Sequence, residues 1–458
     1  MKITVIGGAG VRTVIFINGL LKRYQALNID KVVLYDIDEE KLRIIGLLCK
    51  YVVKRGGEHL QVETAHTPGE ALKDADYVVT TLRVGGDHAR VIDEEIALKH
   101  GVIGQETTGA GGFSMAVRTI PVLQQYCKWI KEYAPDAWIF NFTNPSGLVT
   151  QALRMAEVHT NEGIEKLIGI CDAPSSTKFR MAEYLKADEK DLYVEFFGLN
   201  HLSWISSVKL KGKEIRGELL YDASFLQGIQ EFSVFDPVLL QETGYLPNEY
   251  LYYYYHREKA LAHMLHTDMP RGKFIEETNI QMMEELKSMD IEQNPEEALQ
   301  CFLYYMDKRE RSYMQVETGR VGTQESVRAS LPIPEGMGYA GVMLDCIEGL
   351  QSDTGRDLVL SVQNGTCIKG LAPEDVIEVT CRVSKKGIQP VNIPDIPEEI
   401  LLWIQTIKKY EKLTIEAIQT KSKEKGRMAL TIHPLVLSYS LAKNLLADYA
   451  KYYSGFLE

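Results

Sequence analysis

A chain of 458 residues can form two lobes and a large core, and a makeup of 45% hydrophobic and 25% charged residues excludes wholesale disorder. Its 51 Lys and Arg against 63 Asp and Glu leave a net charge of −12, which argues against nucleic acid and anionic membranes as partners. No uncharged apolar run reaches the roughly 18 residues of a membrane span, and the opening MKITVIGG lacks the apolar core and cleavage site of a secretory leader.

Along the first 200 residues, short apolar runs alternate with longer amphipathic stretches. The runs at 3–6, 31–35, 77–82, 137–142, 166–170 and 194–199 are rich in Val and Ile, as strands buried on both faces should be. A helix is expected from the first glycine turn to about Leu27, and another behind Asn144 and Pro145, with Asn144 as N-cap and Pro145 at the first helical position. This order predicts an α/β fold, a Rossmann-type doubly wound parallel sheet. The pattern changes past residue 205. A polar hairpin at 209–218, a mainly helical region at 248–320, a β-rich stretch at 358–383 and long helices at 397–421 and 428–457 predict a C-terminal α+β lobe. The division expected is 1–200 for an NAD-binding domain and 201–458 for substrate binding and oligomerisation. Pro332, Pro334, Gly336 and Gly338 mark a loop that can border a site. Seven scattered cysteines without a CxxC pair point to a reducing compartment, so a cytoplasmic protein is expected.

Gly7, Gly8 and Gly10 follow the first strand directly. Glycines there let the backbone approach a pyrophosphate at a helix N-terminus, and Asp36, ending the second strand, can accept hydrogen bonds from the adenosine ribose. Thr13 stands where the fingerprint has its third glycine, so a plain βα turn is the bland alternative. Asp36 favours NAD over its 2′-phosphorylated form, with Arg12 weighing the other way.

Each later run is followed by polar residues: Arg83 and Arg90, Asn141 and Asn144, Cys171 and Asp172, Asn200 and His201. In an open parallel sheet the carboxyl ends of the strands form the ligand crevice. Each residue also has a structural alternative. Asn144 and Asp172 can be helix caps, Cys171 a small buried hydrophobe and His201 a satisfied core histidine. Together, Cys171 and His201 form a credible divalent-metal pair. Five tyrosines crowd residues 246–255, most of them expected in packing, with one phenol able to act as a base.

The segments 83–90 (RVGGDHAR), 101–107 (GVIGQET), 141–147 (NFTNPSG), 169–172 (GICD), 198–201 (GLNH), 246–251 (LPNEYL) and 429–435 (ALTIHPL) resemble, in one order over nearly the whole length, glycoside hydrolase family 4. These are the NAD- and metal-dependent glycosidases, and the likeness is greatest to its 6-phospho-β-glucosidases. The family departs from the usual two-carboxylate glycosidase scheme. The resemblance implies Cys171 and His201 as ligands of Mn²⁺ or another divalent metal, and Tyr250 as general base. It implies Asp172 beside the metal cysteine as a further catalytic residue, Arg90 and Asn144 as sugar contacts, and Asp36 as the cofactor-ribose acid; Glu106 lies in a motif near the site. The implied reaction oxidises the sugar at C3 with NAD⁺, removes the C2 proton, eliminates the aglycone and returns the hydride. The substrate is expected to be a small glycoside and the assembly a homodimer or homotetramer. Three departures stand out. Residues 9–14 (AGVRTV) replace a serine-bearing turn of the phosphate-binding members, 334–340 (PEGMGYA) lacks that group's arginine, and Asp172 stands where the β-specific members tend to have Asn. A 6-phosphorylated glucoside is thus expected. An unphosphorylated glycoside, or a plain NAD-dependent hydroxy-acid or polyol dehydrogenase, is the alternative.

Overall fold

The computed structural model describes residues 1–160, 165–318, 331–334, 338–393 and 395–458, with side chains 156–160 left aside. Among the described residues thirteen strands appear in chain order: β1 Lys2–Ile6, β2 Lys31–Tyr35, β3 Gln61–Thr64, β4 Tyr77–Thr80, β5 Trp138–Asn141, β6 Leu167–Gly169, β7 Leu192–Leu199, β8 Leu202–Leu210, β9 Lys213–Glu214, β10 Leu246–Pro247, β11 Arg356–Gln363, β12 Val376–Ser384 and β13 Gly387–Pro390. Nine of them form one sheet in the order β13-β12-β11-β6-β5-β4-β1-β2-β3. The stretch from β6 to β3 is parallel and has the strand order of a Rossmann unit. This is the expected α/β fold. Its central strands β1, β2, β4 and β5 are buried nearly end to end because helices cover both faces. The edge strand β3, QVET, has only one buried residue, and its polarity hides it from a search for apolar runs.

Several of the sequence expectations are corrected by the backbone. The run 194–199 does not add a sixth strand to the parallel sheet. Only Asn200 and His201 separate β7 from β8, and two residues allow only an antiparallel return. The hairpin belongs to a second, smaller sheet, β10-β8-β7, laid against β12 through Phe196 N–H donating to Thr380 Oγ1 at 2.9 Å. In turn β11, β12 and β13 return from the C-terminal half and join the large sheet antiparallel, through Ser361 opposite Gly169. The helix after the glycine turn ends at Leu21, short of Leu27.

The remaining elements follow their sequence signals more closely. The polar hairpin is there as β8–β9, and the 397–421 helix runs over Glu398–Thr420. The long helix expected at 428–457 is instead two, Lys423–Ile432 and Tyr439–Tyr452, broken where Pro434 follows His433. Pro145 also stands outside its helix, which begins at Ser146. The C-terminal helix returns to the first lobe, with Tyr453 Oη donating to the Ala89 carbonyl at 2.9 Å. Among the described residues no helix is long and apolar enough to cross a membrane, and all seven cysteines are free.

Candidate active site

The glycine turn is built for close approach. Gly7 has φ +90°, and a Cβ there would lie 2.6 Å from the Thr81 carbonyl oxygen; one on Gly8 would lie 2.9 Å from Leu34 Cβ. Gly7 and Gly8 both donate to the Tyr35 carbonyl, which binds the turn to the end of β2. Asp36 accepts from the Ala9 N–H and the Asp38 N–H, each at 3.1 Å, so its carboxylate is oriented by the turn while lone pairs stay available. Beside it Ile37 is 83% exposed.

At the carboxyl ends of β6 and β7, Cys171 and His201 come together although 30 residues separate them. Cys171 Sγ lies 3.7 Å from His201 Nε2, and both residues are buried. His201 occupies the β7–β8 turn with φ +63°, so the hairpin brings it to the rim that a sixth parallel strand was expected to supply. Its ring stacks on Tyr250 with centroids 3.7 Å apart and planes within 4°. Burial holds the imidazole down to about 4, so it is neutral and a lone-pair donor at neutral pH. Burial, then Glu378 and Asp172, push the Cys171 thiol up. Glu378 on β12 accepts from Asn200 Nδ2 at 2.9 Å and Ser203 Oγ at 3.2 Å, which fastens the histidine's turn. Burial pushes this carboxyl up to about 7.

A divalent ion fits the Cys171–His201 pair. A 3.7 Å separation lets one ion touch both, because such bonds are roughly 2.3 Å to sulfur and 2.1 Å to nitrogen. Among the described residues no group of three His, Cys, Asp or Glu side chains could hold a metal, so further coordination is left to substrate and water. A thiolate and a neutral imidazole suit a transition metal better than magnesium or calcium.

Tyr250 sits in a 3-10 turn that Asn248 caps through the Tyr250 N–H at 2.9 Å. Tyr313 neighbours its phenol and donates its own hydroxyl to Glu249 Oε1 at 3.3 Å. Burial, then Cys171, Glu249 and Glu106, push the phenol well up. Asp172 does not cap the helix that follows it; its Oδ2 pairs with Arg12 Nη1 at 3.1 Å. Asn144 does accept from the Ser146 N–H at 3.3 Å, a helix-entry bond, while Asn141 is spent inside the fold on Thr80, Thr143, Ser146 and Thr150.

Arg90 donates to Glu94 Oε1 at 2.7 Å and faces Glu106 Oε1 at 3.1 Å, and Arg83 grips the other oxygen of Glu106. Burial raises Glu106, but Arg83 and Arg90 outweigh it and hold the carboxyl down at about 2. Of the Pro332–Gly338 loop, Gly336 lies outside the described residues. Gly338 borders the site, 3.5 Å from Asp172 Oδ2 to a Cβ built on it, and the next residue, Tyr339, stacks on Phe142 with centroids 4.6 Å apart. Sequence reading missed Tyr339, Tyr313 and Glu378. The last was detectable as a lone acid inside the apolar run 376–383.

The model for family 4 glycosyl hydrolases matches residues 2–187, and the model for the C-terminal domain of the same family matches residues 196–436. The 6-phospho-beta-glucosidase BglT of Thermotoga maritima is 30% identical over 98% of this chain and 97% of its own. The Escherichia coli 6-phospho-beta-glucosidase is 29% identical over all of this chain and 97% of its own. A structure of the Thermotoga enzyme with manganese, NAD⁺ and glucose-6-phosphate superposes with a TM-score of 0.80 over 99% of this chain and 98% of that one. A 6-phospho-alpha-glucosidase from gut microorganisms, solved with NAD and glucose-6-phosphate, superposes at 0.82 with 29% identity, over 100% of this chain and 98% of that one. The chain belongs to family 4 of the glycosyl hydrolases.

Proposed function

We propose that this chain is an NAD- and Mn²⁺-dependent hydrolase of small 6-phosphorylated glucosides, working in the cytoplasm as a homodimer or homotetramer. The observation that carries the reading is the meeting of Cys171, His201 and Tyr250 at the strand ends on the same rim as the Gly7–Gly10 turn. The solved relatives that bind NAD, manganese and glucose-6-phosphate lend it support. So do the free, largely buried thiols for a reducing compartment, and exposed apolar side chains such as Leu402, Leu437 and Tyr439 for self-association. Relatives specific for α and for β linkages match about equally, so the anomer is for the assay to decide.

In this reading residues 1–200 bind NAD and residues 201–458 complete the sugar site. Gly7, Gly8 and Gly10 admit the pyrophosphate, Asp36 holds the ribose and Ile37 offers its apolar face to the adenine. Cys171 and His201 hold the metal. When bound, the cofactor takes up a hydride and the ion polarises the sugar oxygen beside the carbon to be deprotonated. With a metal cation held beside it to lower its proton affinity, Tyr250 would stand as the phenolate and would receive the C2 proton at Oη, with Tyr313 next to it bonded to Glu249. Asp172, paired with Arg12 next to Cys171, is a further catalytic residue in this reading, while Asn144 and Arg90 orient the ring.

Purified protein should cleave a chromogenic 6-phosphoglucoside only with NAD⁺ and Mn²⁺, without net NADH, and should place solvent deuterium at C2 of the product. NADH accumulating in step with substrate loss would instead indicate a plain dehydrogenase.

A further inference from the structure

The hairpin turn that carries His201 is held to the large sheet by one carboxyl group. Glu378 lies on β12 and is 2% exposed, between the apolar Ile377 and Val379. Its register partner on β11 is Ser361, which stands opposite Gly169 at the end of β6. Glu378 is thereby level with the strand end that leads into Cys171. After burial, the Glu378 charge is what pushes the Cys171 thiol up most, ahead of Asp172.

Both carboxyl oxygens are engaged. Oε2 accepts from Asn200 Nδ2 at 2.9 Å and Oε1 from Ser203 Oγ at 3.2 Å, so the two bonds bracket His201. His201 has φ +63°, and a non-glycine residue persists there only where its surroundings over-determine it. The other side of the Asn200 amide accepts from the Gly147 N–H at 3.4 Å, which ties the turn to a second element. Ser203 extends the link to the base. Its carbonyl accepts from the Asn248 N–H at 2.9 Å, and Asn248 caps the turn that bears Tyr250. One carboxyl group thus stands behind both rings of the His201–Tyr250 stack. Its partners are neutral, and a buried carboxyl so placed costs stability that an apolar residue in β12 would not. Packing of the strand therefore does not account for it, whereas support of a metal ligand does.

We propose that Glu378 is a positioning residue for the metal pair and the base: through Asn200 and Ser203 it fixes the turn that presents His201, and through Ser203 and Asn248 it keeps Tyr250 stacked on that ring. It rests on the reading of Cys171, His201 and Tyr250 given above. Mn²⁺ affinity is measured from the free-ion EPR signal for wild type, Glu378→Ala, Glu378→Gln, Ser203→Ala and Cys171→Ser, with NAD⁺ affinity and Tm as checks on folding. Exchange of the C2 hydrogen of glucose 6-phosphate with D₂O is then followed at saturating Mn²⁺ and NAD⁺. Glu378→Ala should weaken Mn²⁺ about ten- to hundredfold, the usual cost of removing the support behind a ligand, and should slow the exchange even when the ion saturates. Ser203→Ala should move both in the same direction by less. Glu378→Gln should stay close to wild type, because its amide oxygen can accept from Asn200 while the Ser203 hydroxyl turns to accept from its NH₂. A lower Tm for Glu378→Ala with unchanged Mn²⁺ affinity would reduce the residue to packing and overturn the proposal. A Gln variant as weak as the Ala variant would also overturn it, since the effect would then be one of charge. If Glu378→Ala loses NAD⁺ together with its fold, Ser203→Ala decides by the same signs. A wild type that binds Mn²⁺ no better than Cys171→Ser would instead overturn the metal reading itself.

Discussion

The two walls of the cleft are built in opposite ways. The wall we assign to the cofactor uses consecutive chain: a strand, a glycine turn, a helix and a second strand place everything from Gly7 to Asp36, and backbone N–H groups do most of the holding. The wall we assign to the substrate takes single side chains from distant places. Cys171 follows a parallel strand, His201 turns a hairpin, and Tyr250 donates its backbone N–H to the Asn248 cap. One wall therefore tolerates side-chain change and depends on backbone shape. The other depends on side-chain identity and on the packing that brings the groups together.

The largest contrast should come from the metal pair. Cys171→Ser or His201→Ala should lower kcat by about a thousandfold or more, since a polarising ion supplies several kcal/mol. Equilibrium dialysis should show Mn²⁺ binding lost while NAD⁺ binding persists. Near-normal turnover by either variant in metal-free buffer would remove both residues from the site.

Tyr250→Phe should cost about 10²- to 10⁴-fold in kcat, the usual range for a positioned acid or base. The C2 hydrogen should then exchange with D₂O more slowly by a similar factor. Undiminished exchange would assign the base elsewhere.

On the cofactor wall the effect should be on fold and affinity together. Gly7→Ala forces a Cβ against the Thr81 carbonyl at a left-handed φ, a cost of roughly 1–3 kcal/mol. A lower Tm with weaker NAD⁺ binding is expected. If Gly7→Ala bound NAD⁺ normally, the turn would not cradle the pyrophosphate.

The smallest effect is a pH dependence that belongs to neither wall. His433 is 1% exposed, backbone N–H groups of Gly109 and Leu435 point at its two ring nitrogens, and burial lowers it to about 3. The unfolded chain takes up this proton near pH 6.5, but the folded chain does not until near pH 3. The contribution to stability is therefore complete above about 6.5 and is lost as the pH falls through that window, by up to about 1.4 kcal/mol per pH unit. Denaturant titrations from pH 7 to 5 should show the slope, and His433→Asn should flatten it. An unchanged slope would place the proton uptake on other groups, among them His201 and His256, which burial also lowers.

The sequence by itself determined the parallel core and the cofactor turn, because both are written in neighbouring residues: flat apolar runs for strands buried on two faces, glycines for a turn that a Cβ would block, an acid at the next strand end. It also brought the motifs holding Cys171, His201 and Tyr250 into view. Only the tertiary structure decided that β7 leaves the parallel sheet, that β11–β13 complete it from the far end of the chain, and that Asp172 answers to Arg12 rather than to its helix. It alone placed Glu378 behind the turn that carries His201. The reason is physical. Periodicity records which face of an element is buried, but the charge a side chain meets depends on elements hundreds of residues away, and nothing local in the chain encodes that meeting.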